Sequence, residues 1–231
     1  MKAKLITFAV AVAVVTEILP TTTVQAEQPQ TAIASSQGTA VRRPIMKVGD
    51  QWKYQLIDNW KNVVKETFTF QVSSVTEKEI QIIRKAASGA VATVTETPDL
   101  NATSIVSTSG NDFHYSSDTG DFAFPLSVGK TWEAKTAYTK KGGSGSYALA
   151  VTVVGWEQVT VPAGTFTALK MTREGFYNAT TSSGSGSGKM KVVVWYAPEV
   201  KGKVKVEYED TDWGGQPHSR VTTELTGYKV N

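Results

Sequence analysis

Residues 156–171 read WEQVTVPAGTFTALKM, and the six in the middle, Val161-Pro162-Ala163-Gly164-Thr165-Phe166, decide what kind of chain this is. A proline ring fixes φ at about −65°, which suits Pro162 to the second position of a type I turn, with Ala163 in the third. Gly164 then supplies the left-handed residue that a three-residue hairpin loop needs. Val159 and Val161 before the turn, and Thr165 and Phe166 after it, are strand formers. Every residue of the stretch has a conformational task, so it reads as a hairpin turn and not as hydroxyls gathered for chemistry.

The flanking sequence carries the same signal. In KVKVEYE, Val204, Val206 and Tyr208 point one way, and Lys203, Lys205, Glu207 and Glu209 point to the wet face. ETFTFQV alternates Phe68, Phe70 and Val72 with polar partners, and SYALAVTV does so with Tyr147, Leu149, Val151 and Val153. MKVVVWY, residues 190–196, is apolar on both faces after Lys191 and is expected to be a strand covered on both sides. TEKEIQIIRKAA, residues 76–87, has the capping-box spacing of Thr76 with Glu79, but β-branched Ile80, Ile82 and Ile83 favour a turn followed by a strand. Runs of this kind, separated by Gly, Ser, Asn and Asp, recur from residue 45 to 231 and define one all-β domain.

A short motif occurs twice. KVGDQWKYQL starts at Lys47 and SVGKTWEAKT at Ser127, so that Val48-Gly49 and Trp52 match Val128-Gly129 and Trp132. Each copy gives a glycine turn and then a strand led by tryptophan. Trp52, Tyr54 and Leu56 share one strand face, and Trp132, Ala134, Thr136 and Tyr138 share the equivalent face of the second copy. The expected fold is an antiparallel curved sheet or half-open β-barrel built from two similar β-meander halves.

Val161–Phe166, the run Trp195-Tyr196-Ala197-Pro198 with Val200 and Lys201, and the upstream Val48-Gly49-x-x-Trp52 together resemble an uncharacterised family of exported bacterial β-domains, a domain of unknown function. The likeness covers residues 46–231 and rests on turn and core positions. It implies a half-barrel sheet like that of periplasmic lipoprotein carriers, and it implies no reaction. The SSGSGSG run at residues 182–188 departs from the family's pattern and is expected to be a loop particular to this chain.

The N-terminus sets the compartment. Lys2 and Lys4 precede the apolar run Leu5–Val15, too short to span a bilayer, and VQA at 24–26 suits a signal peptidase. Cleavage is expected after Ala26, followed by a disordered leader over 27–44 and release into the periplasm or the medium. The chain has no cysteine, which excludes disulfides, thiolate chemistry and a lipid anchor on cysteine, so no membrane anchoring is expected. Losing two lysines and one glutamate with residues 1–26 takes the net charge from +3 to +2, which gives no case for nucleic acid.

Chemistry is sparse. GSGSGKM lacks the glycine and the Ser or Thr of a phosphate loop, and no G-x-S-x-G elbow is present. His114, in NDFHYSSDTGD beside Asp112, Asp118 and Asp121, is the best acid–base candidate, and His218 in GGQPHSR reads as a turn residue. Glu207, Glu209, Asp210 and Asp212 lack the glycine-punctuated loop of a calcium site, so no metal and no cofactor is expected. The preferred expectation is a non-enzymatic protein binding an apolar small molecule or a protein partner on a concave face, with Trp52, Tyr54, Trp132, Tyr138 and Trp195 as binding residues. An assembly protein acting through exposed strand edges, and a hydrolase using His114 or a carboxylate pair, are the alternatives.

Overall fold

The computed structural model describes residues 40–231, so the expected signal peptide and most of the expected leader lie outside the described residues. Alternation of side chains shapes everything that follows. Trp52 and Tyr54 are buried with exposed Lys53 between them, and Leu149, Val151 and Val153 are buried with exposed Ala150 in the series. Each strand therefore has an inner and an outer face, and twelve of them form a ring.

The strands are β1 (Gln51–Asp58), β2 (Val63–Val75), β3 (Ile80–Ala86), β4 (Val91–Glu96), β5 (Ala102–Ser107) and β6 (Phe113–Tyr115). They continue as β7 (Thr131–Lys140), β8 (Gly143–Val161), β9 (Gly164–Thr181), β10 (Gly184–Ala197), β11 (Gly202–Asp212) and β12 (Pro217–Lys229). Every strand pairs antiparallel with its neighbours in sequence, and β1 pairs with β12. The expected half-open sheet is thus corrected to a closed barrel: β1 meets β12 from Gln51↔Lys229 to Asp58↔Val221, which removes both edges.

The repeated motif performs the same task twice, six strands apart. Asp50 N–H donates to the Lys47 carbonyl and Lys130 N–H to that of Ser127, each bond closing a turn with glycine at positive φ, 93° at Gly49 and 84° at Gly129. The Gly49 amide then donates to Val72 and that of Gly129 to Val153, each at 2.9 Å, which docks β1 on β2 and β7 on β8. Asp50 is fully buried and ties the first turn to the chain's end: its carboxylate accepts from the amides of Lys47 and Asn231 and from Lys201 Nζ.

The opening hairpin turn is where sequence placed it, with a shorter loop. Val161 pairs with Gly164, leaving a two-residue turn, Pro162–Ala163, and Gly164 stands at φ 136°, a positive value that L side chains rarely adopt. The turn is docked: the Ala163 amide donates to the Leu225 carbonyl, and the Phe166 ring lies 5.9 Å from that of Tyr228. Residues 76–79 form a turn closed on the Thr76 hydroxyl, and β3 follows as expected. SSGSGSG, expected as a loop, is mostly strand, with a turn only at 182–183. His218, also expected in a turn, lies in β12, and His114 lies in β6. In the last stretch expected to be leader, Val41 bridges Leu126.

One end of the barrel is filled by the connection from β6 to β7, residues 116–130. Phe122 (3% exposed) and Leu126 (0%) enter the core from this plug, and Phe122, Phe124 and Tyr196 stack with ring centroids 5.4–5.7 Å apart. Asn101 pins it with two bonds, its Nδ2 donating to the Phe122 carbonyl at 2.9 Å and its Oδ1 accepting from the Phe122 amide at 2.8 Å. Gly120 makes the close approach possible: φ is 62°, and a Cβ there would sit 2.9 Å from the Ala134 backbone.

Candidate functional site

Directly opposed residues of an antiparallel pair share a face, so the pairing maps the interior. Tyr115 opposes Tyr138, Tyr138 opposes Gly145, Tyr147 opposes Tyr177, and Val192 opposes Tyr208. These positions belong to the same inward series as buried Ala134, Leu149, Met171 and Val194. Five of the eight tyrosines, drawn from β6, β7, β8, β9 and β11, therefore line the interior beyond the plug, and all five are half-buried. Gly145 is required here, because a Cβ at that position would strike the Tyr138 hydroxyl and the Asn178 carbonyl. The Tyr138 ring also meets Phe113 at 5.6 Å and Tyr115 at 6.2 Å.

At the foot of this belt the plug presents Asp121. Arg173 of β9 lies 2.8 Å from one of its oxygens and Lys203 of β11 lies 2.6 Å from the other. Burial alone would raise the Asp121 carboxyl, but the two cations hold it down at about 2. Glu96, at the inward end of β4, is pushed up to about 7 by burial; Lys203 opposes that shift and Asp121 adds to it. Tyr147 donates to the Thr119 carbonyl at 3.0 Å, and its hydroxyl is raised by burial and by Asp121. Nearer the far end, Tyr177 and Tyr208 are raised by burial and by Asp210. The side chain of Asp121 keeps 17% of its surface exposed and that of Lys203 33%, so solvent reaches the cluster. Among the described residues, three buried side-chain atoms have no hydrogen-bond partner: Arg173 Nε, Tyr196 Oη and Asp210 Oδ1.

Lys203 corrects the expectation that it shares a wet face with Lys205, Glu207 and Glu209. Trp195 opposes Lys205 but Tyr196 opposes Lys203, so a bulge at Val204 turns Lys203 to the inner side, over the Phe122 ring at 5.3 Å. Arg173, Lys203 and Glu96 were not among the expected site residues. The signal was in the alternation: Leu169, Met171 and Arg173 form one series, Ala92, Val94 and Glu96 another, and each puts an ionisable group in an apolar row.

The expected binding residues are spread over several places. Trp52 is buried and its indole donates to the Val200 carbonyl at 2.7 Å; Tyr54 is buried beside it and donates to the Lys203 carbonyl at 2.8 Å. Trp132 is half-buried against the plug and donates to the Gly120 carbonyl at 2.9 Å. Tyr138 belongs to the tyrosine belt. Trp195 lies on the outer face, donating to Glu157 at 2.8 Å between the ammonium groups of Lys170 and Lys205. His114 is on the outer face of β6, on a shallow groove of about 530 Å³ shared with Ser116, Thr139, Ser146 and Asn178. It has no hydrogen-bond or ion-pair partner among the described residues. Also among the described residues, no three His, Asp or Glu side chains are grouped to hold a metal.

Comparison with solved structures identifies the fold. The chain matches a Bacteroides fragilis protein assigned as exported, of YmcC-like fold, with a TM-score of 0.52, 16% identity, and coverage of 83% of this chain and 100% of the other. A Parabacteroides distasonis protein assigned as a lipoprotein matches with a TM-score of 0.50, 16% identity and the same coverage. The hypothetical lipoprotein YmcC of Escherichia coli matches with a TM-score of 0.43 and 8% identity over 77% of this chain and 83% of that one. No family model matches the chain, and no curated protein sequence matches it.

Proposed function

We propose that the protein is a non-enzymatic binding protein that works outside the cytoplasm and holds a small, partly apolar ligand inside the barrel, on the tyrosine-lined half. The observation that carries this reading is the belt itself: five tyrosines from five strands face inward above a solvent-reaching polar cluster. Tyrosine suits such a surface, because its ring offers apolar contact and its hydroxyl a hydrogen bond. Tyr138 belongs to the contact surface. Export is supported by the charged start, the apolar run and the VQA end, and by the assignments of the two fold neighbours. Assembly through free strand edges is the weaker reading, since each of the twelve strands pairs on both sides.

Native mass spectrometry of protein isolated from the extracytoplasmic fraction tests the proposal. The expected result is a non-covalent adduct that disappears in Tyr138→Ala and Tyr177→Ala. A bare polypeptide mass, or an adduct indifferent to both substitutions, contradicts it.

A further inference from the structure

With Glu96 protonated, the interior cluster is one anion short. Arg173 and Lys203 bring two positive charges to the single negative charge of Asp121, and charges taken out of bulk water are costly unless matched. Glu96, which faces Lys203 of β11, Asp121 of the plug and Tyr54 of β1, forms no ion pair with either cation among the described residues. Arg173 is 8% exposed, and its Nε–H has no acceptor among the described residues. Buried donors in folded proteins are nearly always bonded, and a guanidinium edge fits the paired oxygens of a carboxylate or sulfonate. Above Arg173 stand Tyr115 and Tyr147, both within the electrostatic reach of the same Asp121–Arg173 pair.

We infer that the barrel binds a monoanionic organic acid, its acidic head against the Nε edge of Arg173 and its apolar remainder on the tyrosine belt. This inference rests on the interior-binding reading above and adds the charge of the ligand. Glu96 sets the strength of the site. Protonated, it leaves the cluster at net +1; ionised, it cancels that charge. A group titrating near 7 is neutral in most molecules at pH 6 and in few at pH 8.5, so affinity for an anion falls by up to about 30-fold between those values.

The test uses two fluorescent probes of similar shape on the full mature chain: anilinonaphthalene sulfonate, whose charge does not change in this range, and neutral N-phenyl-1-naphthylamine. The parent is expected to bind both. Arg173→Met should weaken the sulfonate by about tenfold or more, the worth of a charge-assisted contact, and change the neutral probe less than about twofold. Glu96→Gln should hold the sulfonate as tightly at pH 8.5 as at pH 6, which separates Glu96 from His218, near the mouth beside Tyr177. Equal sulfonate binding in parent and Arg173→Met overturns the inference, whether the probe sits on the belt or on the exposed Trp60 and Trp213. If Arg173→Met does not fold, Glu96→Gln decides alone: a sulfonate affinity that still falls with pH overturns the inference. Failure of the folded parent to bind either probe overturns the interior-binding reading itself.

Discussion

Asn101→Leu isolates the plug from the rest of the barrel. Asn101 is 5% exposed, follows Leu100 at φ 63°, and makes both hydrogen bonds of the Phe122 peptide group. Leucine keeps the branching at Cγ and can make neither bond. The Phe122 amide and carbonyl would then stay buried without partners, at about 1–3 kcal/mol each, so a loss of roughly 2–6 kcal/mol is expected. Asn101→Asp keeps the acceptor for the amide but sets a buried carboxylate oxygen against the Phe122 carbonyl, so its loss should be at least as large. Urea unfolding reads the difference as a shift of the midpoint at constant slope. Should both variants unfold within about 0.5 kcal/mol of the parent, the range of an ordinary surface change, Asn101 does not hold the plug and the reasoning fails.

Four further outcomes are expected. Trp52→Ala should cost about 3–5 kcal/mol in thermal or urea melts and Trp132→Ala less, because Trp52 is 4% exposed whereas Trp132 is half-buried. Gly164→Val should cost about 1–3 kcal/mol through its positive φ, since no atom but the Phe166 ring approaches within 4 Å, while Thr165→Val, which loses only an exposed bond to Thr160, should be close to neutral. Glu96, up at about 7 when folded and near 4.5 when unfolded, keeps a proton between those values that the unfolded chain has lost. Stability should therefore fall as pH rises from 4.5 to 7, and Glu96→Gln should flatten that limb; an unchanged limb in melting curves would contradict the placement of Glu96. Asp121 has the opposite sign: held at about 2, it contributes stability above the ordinary carboxylate range that is lost as pH falls toward 2, and Asp121→Asn should remove that acid limb.

The fold was legible where its causes are local. Alternation in 68–72, 147–153 and 204–208 gave strands, and the paired Val-Gly-x-x-Trp motifs gave two halves that begin at β1 and β7. Closure was not legible, because it depends on β1 meeting β12 across most of the chain, and no local pattern encodes that pairing. The half-open expectation had the antiparallel class right and missed this one contact. Lys203 was misplaced for a related reason: strict alternation holds only without bulges, and the extra residue at Val204 reverses it. The polar cluster was hidden by distance, since Glu96, Asp121, Arg173 and Lys203 come from four separate elements. Their trace was an arginine and a glutamate standing in apolar rows, a signal that alternation counts when it is followed past the first mismatch.

The central claim, that ligand is held on the inner face of the barrel, is tested most directly by tyrosine-ring NMR. With ring-labelled protein, assigned by single Tyr→Phe changes, N-phenyl-1-naphthylamine should shift Tyr115, Tyr138, Tyr147, Tyr177 and Tyr208 and leave Tyr228, an exposed ring packed on Phe166 of the β8–β9 hairpin, unmoved. A saturating probe that moves Tyr228 alone, or none of the five, would contradict it.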